Sequence, residues 1–442
     1  MKRNPVTIIA IAVLLLFIMT SAAIAEDKVE LKLNGDPVPF ADLIFENGTV
    51  FVPAYNYVKL AGVDYEWLSD EELKLVENND TLIVTAGKKE AVFNSKPVLL
   101  PAAPIDTVDD LLLPLRFVCR AFGFEVKWIE AEQLVTLKRN ETREGITPAD
   151  LLVKSNQMVS NINTYSLTED MYMVMDMSFD GESADFFPEM ATETEGATET
   201  EGQVRISPFQ YYAKTSIATA DDSDNEDAII TEAYMTEDKI YTKALGEEWT
   251  IKEIPFMKEF IQQQQDIQSN PIKAASQMKE MGLLPNFGND LTIDGQEYFV
   301  VNTALDMNKL LQDYQEILDP LLEDLASAED EVDPEELSSF LKMMMNKMNI
   351  DYYLTAYINR KTLISDFVDF DAHINMSITS ADIAELGIDT ESDQAEQTPG
   401  EEVPHEMTID MYMEGEMYLF DFGKPFKAPD VSHAVPVDQK TE

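Results

Sequence analysis

Residues 29–140 contain the same pattern twice, and this repeat restricts the fold more than any other feature of the chain. The stretch LNGDPV at residues 33–38 returns as FNSKPV at residues 93–98, an offset of 60. Three marker residues recur at an offset of 61, namely Pro53, Gly62 and Trp67 in the first copy and Pro114, Gly123 and Trp128 in the second. An offset this constant indicates an internal duplication. We therefore predict two structural repeats, at about 29–87 and 90–140.

Both copies predict the same order of elements. A strand with an Asn-Gly or Asn-Ser turn is followed by an apolar run that ends at the marker proline. A short helix comes next, at 54–61 and 115–122, and the marker glycine suits the left-handed conformation that often ends a helix. In the alternating strand FEVKW that follows, Phe124, Val126 and Trp128 share one side. A closing strand, TLIVTAG or LVTLKRN, completes each copy.

This arrangement resembles the bacterial module named after the N-terminal domain of copper amine oxidases. The resemblance covers residues 29–140 and is most specific in LPLRFVCRAFGFEVKW at 113–128. The family usually has an arginine after Pro-Leu and a glutamate four residues later. Arg116 matches the arginine, but Arg120 stands at the glutamate position, and the first copy has Tyr55 and Lys59 there. The resemblance therefore implies the fold but not the ion pair.

The name of that module does not imply an oxidase activity for this chain. Copper amine oxidase chemistry requires a histidine triad and a tyrosine-derived quinone in a catalytic domain. The three histidines here, His373, His405 and His433, lie outside the repeats and have no His-x-His spacing. Motifs of phosphate-binding loops, serine hydrolases and zinc proteases are absent from the sequence. We predict a protein that is not an enzyme and has no cofactor.

Residues 146–436 predict a second, larger unit of long strands and helices. Thr147 and Pro148 start a helix, and alternating stretches such as YSLTEDMYMVMDMSF predict an antiparallel sheet. Helical blocks are predicted at 255–281 and 307–348, and acidic loops at 183–203 and 390–402. The order of elements resembles envelope proteins of the LolA/LppX type and their secreted Gram-positive relatives. That resemblance implies a curled antiparallel sheet packed on helices, so the whole chain is predicted to be α+β.

A stripe of methionines lies on one side of two predicted strands of the larger unit. The stripe comprises Met171, Met173, Met175, Met177, Met411 and Met413, with Met407 and Met417 beside them. One interpretation is the core face of the sheet, because alternation alone places apolar residues on one side. A second is a flexible apolar ligand cavity, since methionine adapts to varied ligands. Binding of Cu(I) by thioethers is a third, and no dedicated metal site is predicted.

Cys119 is the only cysteine and lies between Arg116 and Arg120. Arginines near a thiol can lower its pKa and make it reactive. However, Cys119 corresponds to Val58 of the first copy, an apolar position of the helix. We therefore interpret Cys119 as a small buried apolar side chain.

The N-terminus has the pattern of a secretory signal peptide. Lys2 and Arg3 precede an apolar stretch at 6–19, and Ala23 and Ala25 fit a cleavage site. We predict a signal peptide at 1–25, cleaved after Ala25. The alternative is an uncleaved membrane anchor, because residues 6–25 are about long enough to span a thin bilayer. No cysteine stands at the end of the apolar stretch, so the pattern is not that of a lipoprotein signal.

The chain is strongly acidic, with a formal net charge of −51. Such a surface repels nucleic acids and anionic lipids and attracts cations and basic polymers. It also keeps an exported protein soluble. Acidic pairs are so frequent that a pair at catalytic spacing has no specificity for a glycosidase.

Two functions follow as hypotheses. The first is a non-enzymatic, exported cell-envelope protein whose N-terminal module mediates interaction or adhesion with a cell-wall or envelope component, beside a larger ligand-binding unit. The alternative is an extracytoplasmic carrier or sensor of a lipid or another hydrophobic ligand, held in the cavity of the curled sheet. Membrane contact is expected only through an uncleaved signal segment.

Overall fold

The computed structural model describes most of the chain after the predicted signal peptide. The described residues are 29–38, 43–107, 110–179, 193–219, 229–254, 257–258, 261–262, 271–307, 339, 343–344, 347–379, 382 and 406–436. Residues 1–25 and the predicted acidic loop at 390–402 lie outside them. Within the described part the protein is mostly β, with a curled, half-barrel antiparallel sheet, and the predicted α+β class broadly fits. None of the helices described there is long and apolar enough to span a membrane.

The N-terminal module consists of short strands and two short helices. Its first part contains β1 (Glu30–Leu33), β2 (Asp36–Pro37), β3 (Ile44–Glu46), β4 (Thr49–Pro53), α1 (Ala54–Ala61), β5 (Asp64–Ser69), β6 (Glu72–Glu77) and β7 (Asp80–Thr85). Its second part contains β8 (Glu90–Phe93), β9 (Lys96–Leu99), β10 (Ile105–Asp106), β11 (Leu111–Pro114), α2 (Leu115–Ala121), β12 (Glu125–Ile129), a 3₁₀ turn (Glu130–Glu132) and β13 (Leu134–Lys138).

These strands form three small sheets, and each sheet contains strands from both parts. The orders are β12-β13-β1-β2, β10-β11-β4-β3 and β5-β6-β7-β8-β9. In the sheet β10-β11-β4-β3 the strands β4 and β11 are antiparallel. Val52 lies opposite Leu113, and these two residues are 61 positions apart in the sequence. By the same offset β13 corresponds to β6, so β7 is an additional strand between β6 and β8. The predicted equivalence of 81–87 with 134–140 is therefore wrong by one strand.

Proline and glycine determine where α1 begins and ends. Pro53 precedes α1 with φ −56° and ψ 138°, an extended conformation that proline adopts readily. Gly62 follows the helix with φ 69° and ψ 34°, and its N–H donates to the carbonyl of Val58 at 2.9 Å. This left-handed position strongly favours glycine because it has no Cβ. Pro114 and Gly123 (φ 81°) stand at the corresponding places around α2.

The larger unit begins with α3 (Pro148–Ile162), which Thr147 caps by accepting a hydrogen bond from the N–H of Asp150. α4 (Pro271–Glu280) packs beside α3. Of the predicted helical block at 255–281, the described residues 257–258 and 261–262 are also helical. Most of the predicted block at 307–348 lies outside the described residues.

Thirteen described strands form the main sheet. They are β14 (Thr164–Phe179), β15 (Glu193–Arg205), β16 (Gln210–Thr219), β17 (Ile229–Thr236), β18 (Lys239–Ala244), β19 (Thr250–Glu253), β20 (Leu283–Phe287), β21 (Leu291–Ile293), β22 (Gln296–Asp306), β23 (Met348–Asn359), β24 (Ser365–Thr379), β25 (Glu406–Phe420) and β26 (Val435–Pro436). The order is β20-β22-β23-β24-β25-β14-β15-β16-β17-β18-β19-β26, with β21 paired to β22. The pairs are antiparallel except for β19 with β26.

The predicted acidic loop at 183–203 is wrong from residue 193 onward. Residues 193–205 form β15, which pairs along its length with β14 and β16. The reason lies in the alternation of TETEGATETEG, whose period of two matches a strand. The threonine side chains of this strand fall on one face and those of Glu195, Glu199 and Glu201 on the other, so these acids stay on the polar side of the sheet.

Candidate binding cleft between the N-terminal module and the main sheet

The central strands β14, β24 and β25 give the main sheet two faces of opposite character. Directly paired residues of antiparallel strands share a face. On the first, called here the acidic face, Asp170 pairs with Glu416 and Tyr172 pairs with Glu414. On the opposite, apolar face, Met171 pairs with Gly415. The predominant alternation of apolar and polar residues in these strands therefore separates the two surfaces, with Glu169 as an exception on the apolar side.

The predicted methionine stripe lies together on the apolar face. Met171 and Met413 are buried in one apolar cluster, against which Met173 and Met411 pack. Met175 and Met177 pack against the neighbouring cluster around Met376 and Ile378. Met343 and Met344, which precede β23 in the chain, pack against the same cluster. Of the six predicted cavity residues, Met171 alone borders the cleft described below.

Helix α1 of the N-terminal module packs onto the acidic face. The side-chain amide of Asn56 donates to the carboxylate of Asp351 at 2.8 Å and to the Tyr353 hydroxyl at 2.9 Å, and all three residues are buried. Lys59 forms an ion pair with Asp371. The ring of Tyr55 meets the ring of Tyr353 edge-on, with 5.8 Å between centroids.

The contact continues into the core. The apolar cluster of the module includes Leu284, Ala304 and Tyr353 from the main sheet, so one core crosses the junction. The Asn286 side chain donates to the carbonyl of Leu60 at 3.1 Å. A Cβ on Gly62 would stand 2.5 Å from the carbonyl oxygen of Phe287. The module is thus packed tightly on the sheet.

Beside α1 the junction leaves a cavity of about 710 Å³. Its walls come from α1 and β5 on one side and from β14, β15, β22, β23, β24 and β25 on the other. Seven carboxylates line it, from Asp64, Asp170, Glu199, Asp369, Asp371, Glu414 and Glu416. Lys59 contributes the one amine of this lining, and that amine is engaged by Asp371. The cavity is therefore strongly negative.

Four of these acids form a row across adjacent strands. Asp369 is opposite Glu416, Glu416 is opposite Asp170, and Asp170 is opposite Glu199. Like charges directly opposite each other destabilise a sheet. Burial, and then the neighbouring Glu416, raises the pKa of Asp369, although the Tyr357 hydroxyl donates a hydrogen bond to it at 2.6 Å. The neighbouring carboxylates of the row repel one another, and a bound cation would reduce this repulsion.

Tyrosines alternate with the acids around the same cleft. Tyr65 of β5 and Tyr172 of β14 line it and are 45% and 40% exposed. Burial, followed by Asp371 and Asp110, raises the pKa of Tyr65, so its hydroxyl stays protonated. On β25, Tyr412 and Tyr418 flank the two glutamates and are also exposed. Exposed aromatic faces among carboxylates suit a cationic ligand.

Of the residues singled out in the repeats, Trp67, Trp128, Arg116 and Cys119 lie outside the lining of the cleft. Trp67 is 44% exposed on β5, while Trp128 is partly buried and stacks on Phe45 with 5.5 Å between centroids. Arg116 is exposed on α2. Cys119 is fully buried, and burial raises its thiol pKa well above the usual value, so it is not an activated nucleophile.

No group of three or more histidine, cysteine, aspartate or glutamate side chains within the described residues is arranged to hold a metal ion. The cleft acids are spread over β5, β14, β15, β24 and β25. Their negative charge is therefore distributed along the cleft.

Sequence reasoning missed the docking residues of α1. Tyr55 and Lys59, which contact Tyr353 and Asp371, occupy the positions at which the second copy has Arg116 and Arg120. The difference between the copies was the available signal. In the first copy these two positions face the main sheet, and in the second copy both arginines are exposed.

Comparison with known proteins bears on the N-terminal module. No curated protein matches the chain. The family model described as the copper amine oxidase N-terminal domain matches residues 32–137, and a second match to it covers residues 105–178, reaching through α3 into β14. The module that forms one wall of the cleft is therefore similar to the copper amine oxidase N-terminal domain.

Proposed function

We propose that the protein is an exported, non-enzymatic binding protein of the cell envelope, and that the cleft between α1, β5 and the acidic face is its binding site. The observation that carries this proposal is the cavity of about 710 Å³ at the junction, lined by exposed tyrosines and carboxylates. Concave sites of this size, placed between structural units, are where proteins usually bind ligands.

In this proposal the N-terminal module forms part of the binding site. The buried hydrogen bonds of Asn56 and the shared core fix it on the sheet. We propose further that the module arose by duplication, which the offset of 61 residues and the matched pairing of Val52 with Leu113 support. Kinship of the main sheet with LolA/LppX-type proteins stays a prediction; the curled antiparallel form of the sheet is all that it shares with them so far.

Sedimentation with purified cell walls tests the proposal. The chain from residue 26 onward is mixed with insoluble walls, and the bound fraction is compared with that of the double variant Tyr65→Ala/Tyr172→Ala. The double variant should lose most of the retention, because both rings line the cleft. Phe45→Ala is the matched control, since Phe45 is 54% exposed and is not among the residues that line the cleft. Equal retention of all three proteins would rule out the cleft as the binding site. No retention of the unmodified protein would rule out binding to the cell wall.

A second candidate function is the transport of an apolar ligand on the methionine face. Glu169 favours it, because this carboxyl stands on the same side of β14 as Met171, and burial raises its pKa. A largely apolar surface with one half-buried carboxyl group is suited to an amphipathic molecule. Organic extracts of the purified protein should then contain stoichiometric lipid by mass spectrometry, and lipid-free extracts would exclude the carrier.

A further inference from the structure

We propose that the cleft binds an extended peptide segment carrying lysine or arginine side chains, which docks beside strand β5. This inference rests on the proposed function, because it assigns a ligand class to the same cleft. Its basis is an open strand edge at a cavity, and the charge of the cavity selects the occupant.

Strand β5 offers a free edge to such a segment. It is the terminal strand of the sheet β5-β6-β7-β8-β9, and all six of its residues are exposed. Among the described residues β5 pairs only with β6. A free edge has unpaired backbone N–H and C=O groups, and an extended peptide can add to it as a further strand. The first residues of β5, Asp64 and Tyr65, already line the cavity.

The side chains around that edge fit alternating cationic residues. Tyr65 and Trp67 lie two positions apart and share one side of β5, each nearly half exposed. Aromatic faces of this kind attract ammonium and guanidinium groups. The acid row from Asp369 to Glu199 crosses four strands, which is about 14 Å at the usual strand spacing. Three alternating side chains of an extended peptide cover about the same distance.

Long-range electrostatics favours the same occupant. The chain has a net charge of −51, so its field concentrates cations and repels anionic polymers. Within the cleft the one lysine is paired with Asp371, so no other amine of the lining neutralises the remaining carboxylates. Asp64, Asp369 and Glu416 accept hydrogen bonds only from neutral side chains among the described contacts. A peptide that supplies two or three positive charges would also relieve the repulsion within the row.

Fluorescence polarisation with a labelled nine-residue peptide of alternating lysine and threonine tests the inference, using the chain from residue 26 onward. Asp369→Asn/Glu416→Gln should weaken binding at least tenfold. Glu130→Gln/Glu132→Gln removes the same charge from the exposed 3₁₀ turn and should change the affinity less than twofold. Equal losses in both double variants would show general charge attraction only and would overturn the inference. Circular dichroism verifies that each variant is folded.

The strand-edge part has its own test. The same peptide with alternate backbone nitrogens methylated keeps its charge but cannot form the ladder, and it should bind at least tenfold more weakly. Equal affinity of the methylated peptide, or equal competition by spermine at the same total charge, would overturn docking at β5 in favour of a small polyamine. Displacement of the peptide by millimolar Ca²⁺ alone, at constant ionic strength, would instead assign the cleft to a cation.

The two proposals fail in different ways. Suppose that the Tyr65→Ala/Tyr172→Ala variant loses wall retention while Asp369→Asn/Glu416→Gln leaves the peptide affinity unchanged. The cleft is then a binding site for another ligand, and this inference is wrong. If the peptide binds as expected but no variant affects wall retention, the assigned ligand class is confirmed and the proposed binding to the cell envelope is wrong.

Discussion

Replacing Gly62 by alanine tests how closely the N-terminal module packs on the main sheet. Gly62 ends α1 with φ 69°, and Gly123 occupies the equivalent place after α2 with φ 81°. Around Gly123 a new Cβ would meet no atom within 4 Å. At Gly62 it would stand 2.5 Å from the Phe287 carbonyl oxygen and 2.9 Å from the side-chain nitrogen (Nδ2) of Asn302. The two glycines therefore form a matched pair.

The expected magnitudes follow from this difference. Left-handed backbone costs a residue with a Cβ about 1–2 kcal/mol, and both substitutions share that cost. Overpacking against fixed backbone adds about 1–3 kcal/mol, and it applies only to Gly62→Ala because Phe287 belongs to β20. We expect Gly123→Ala to destabilise by about 1–2 kcal/mol and Gly62→Ala by about 2–5 kcal/mol.

Urea unfolding followed by tryptophan fluorescence measures both variants under identical conditions. A change in midpoint at constant slope reports stability, whereas a change in slope would indicate that the module and the sheet no longer unfold together. Gly62 also lines the cleft, so Gly62→Ala should weaken peptide binding as well, while Gly123→Ala should not. Equal destabilisation of the two variants, within about 0.5 kcal/mol, would refute close packing at this junction.

Three further outcomes are expected. Asn56→Ala removes two buried hydrogen bonds at the junction and should lower the free energy of unfolding by about 1–3 kcal/mol in urea; no change would mean that α1 is not docked. Cys119 should resist a thiol reagent in the folded protein and react on unfolding, because it is buried and burial raises its pKa; rapid native labelling would contradict this. The raised pKa of Asp369 means that the folded state holds this proton more tightly, so stability should rise as pH falls from neutral through that pKa, and Asp369→Asn should reduce this rise in pH-dependent urea titrations; an unchanged pH dependence would show that Asp369 does not contribute.

The repeat in the sequence predicts the local backbone of the module well. Pro53 and Gly62 flank α1 where the spacing places them, and Pro114 likewise precedes α2. The helix α2 ends at Ala121, one residue earlier than predicted, and the left-handed Gly123 follows its cap residue Phe122. This succeeds because the proline ring and left-handed glycine act on their own residues and need no distant partner. The alternation of β14 likewise predicts which side chains share a face.

The long-range arrangement was beyond such reasoning. The partner of Asn56 is Asp351, almost 300 residues away, and no local pattern marks the pair. Acidic content suggested a loop where β15 forms, because composition outweighed the period-two alternation of Thr194, Thr198 and Thr200. The cleft arises only where two separately predictable units meet, so its residues could not be grouped in advance.

The parallel pairing of β1 with β13 has a consequence for folding kinetics. Glu30 lies opposite Leu134, so the outer sheet of the module closes only after more than a hundred residues are available, and β14 must wait still longer for β25. Pairings of such long sequence separation raise the contact order and slow folding, which prolongs the exposure of unpaired strands. A uniformly negative chain repels its own copies during that interval. We therefore expect the excess of acids to oppose aggregation of chains that are not yet fully folded.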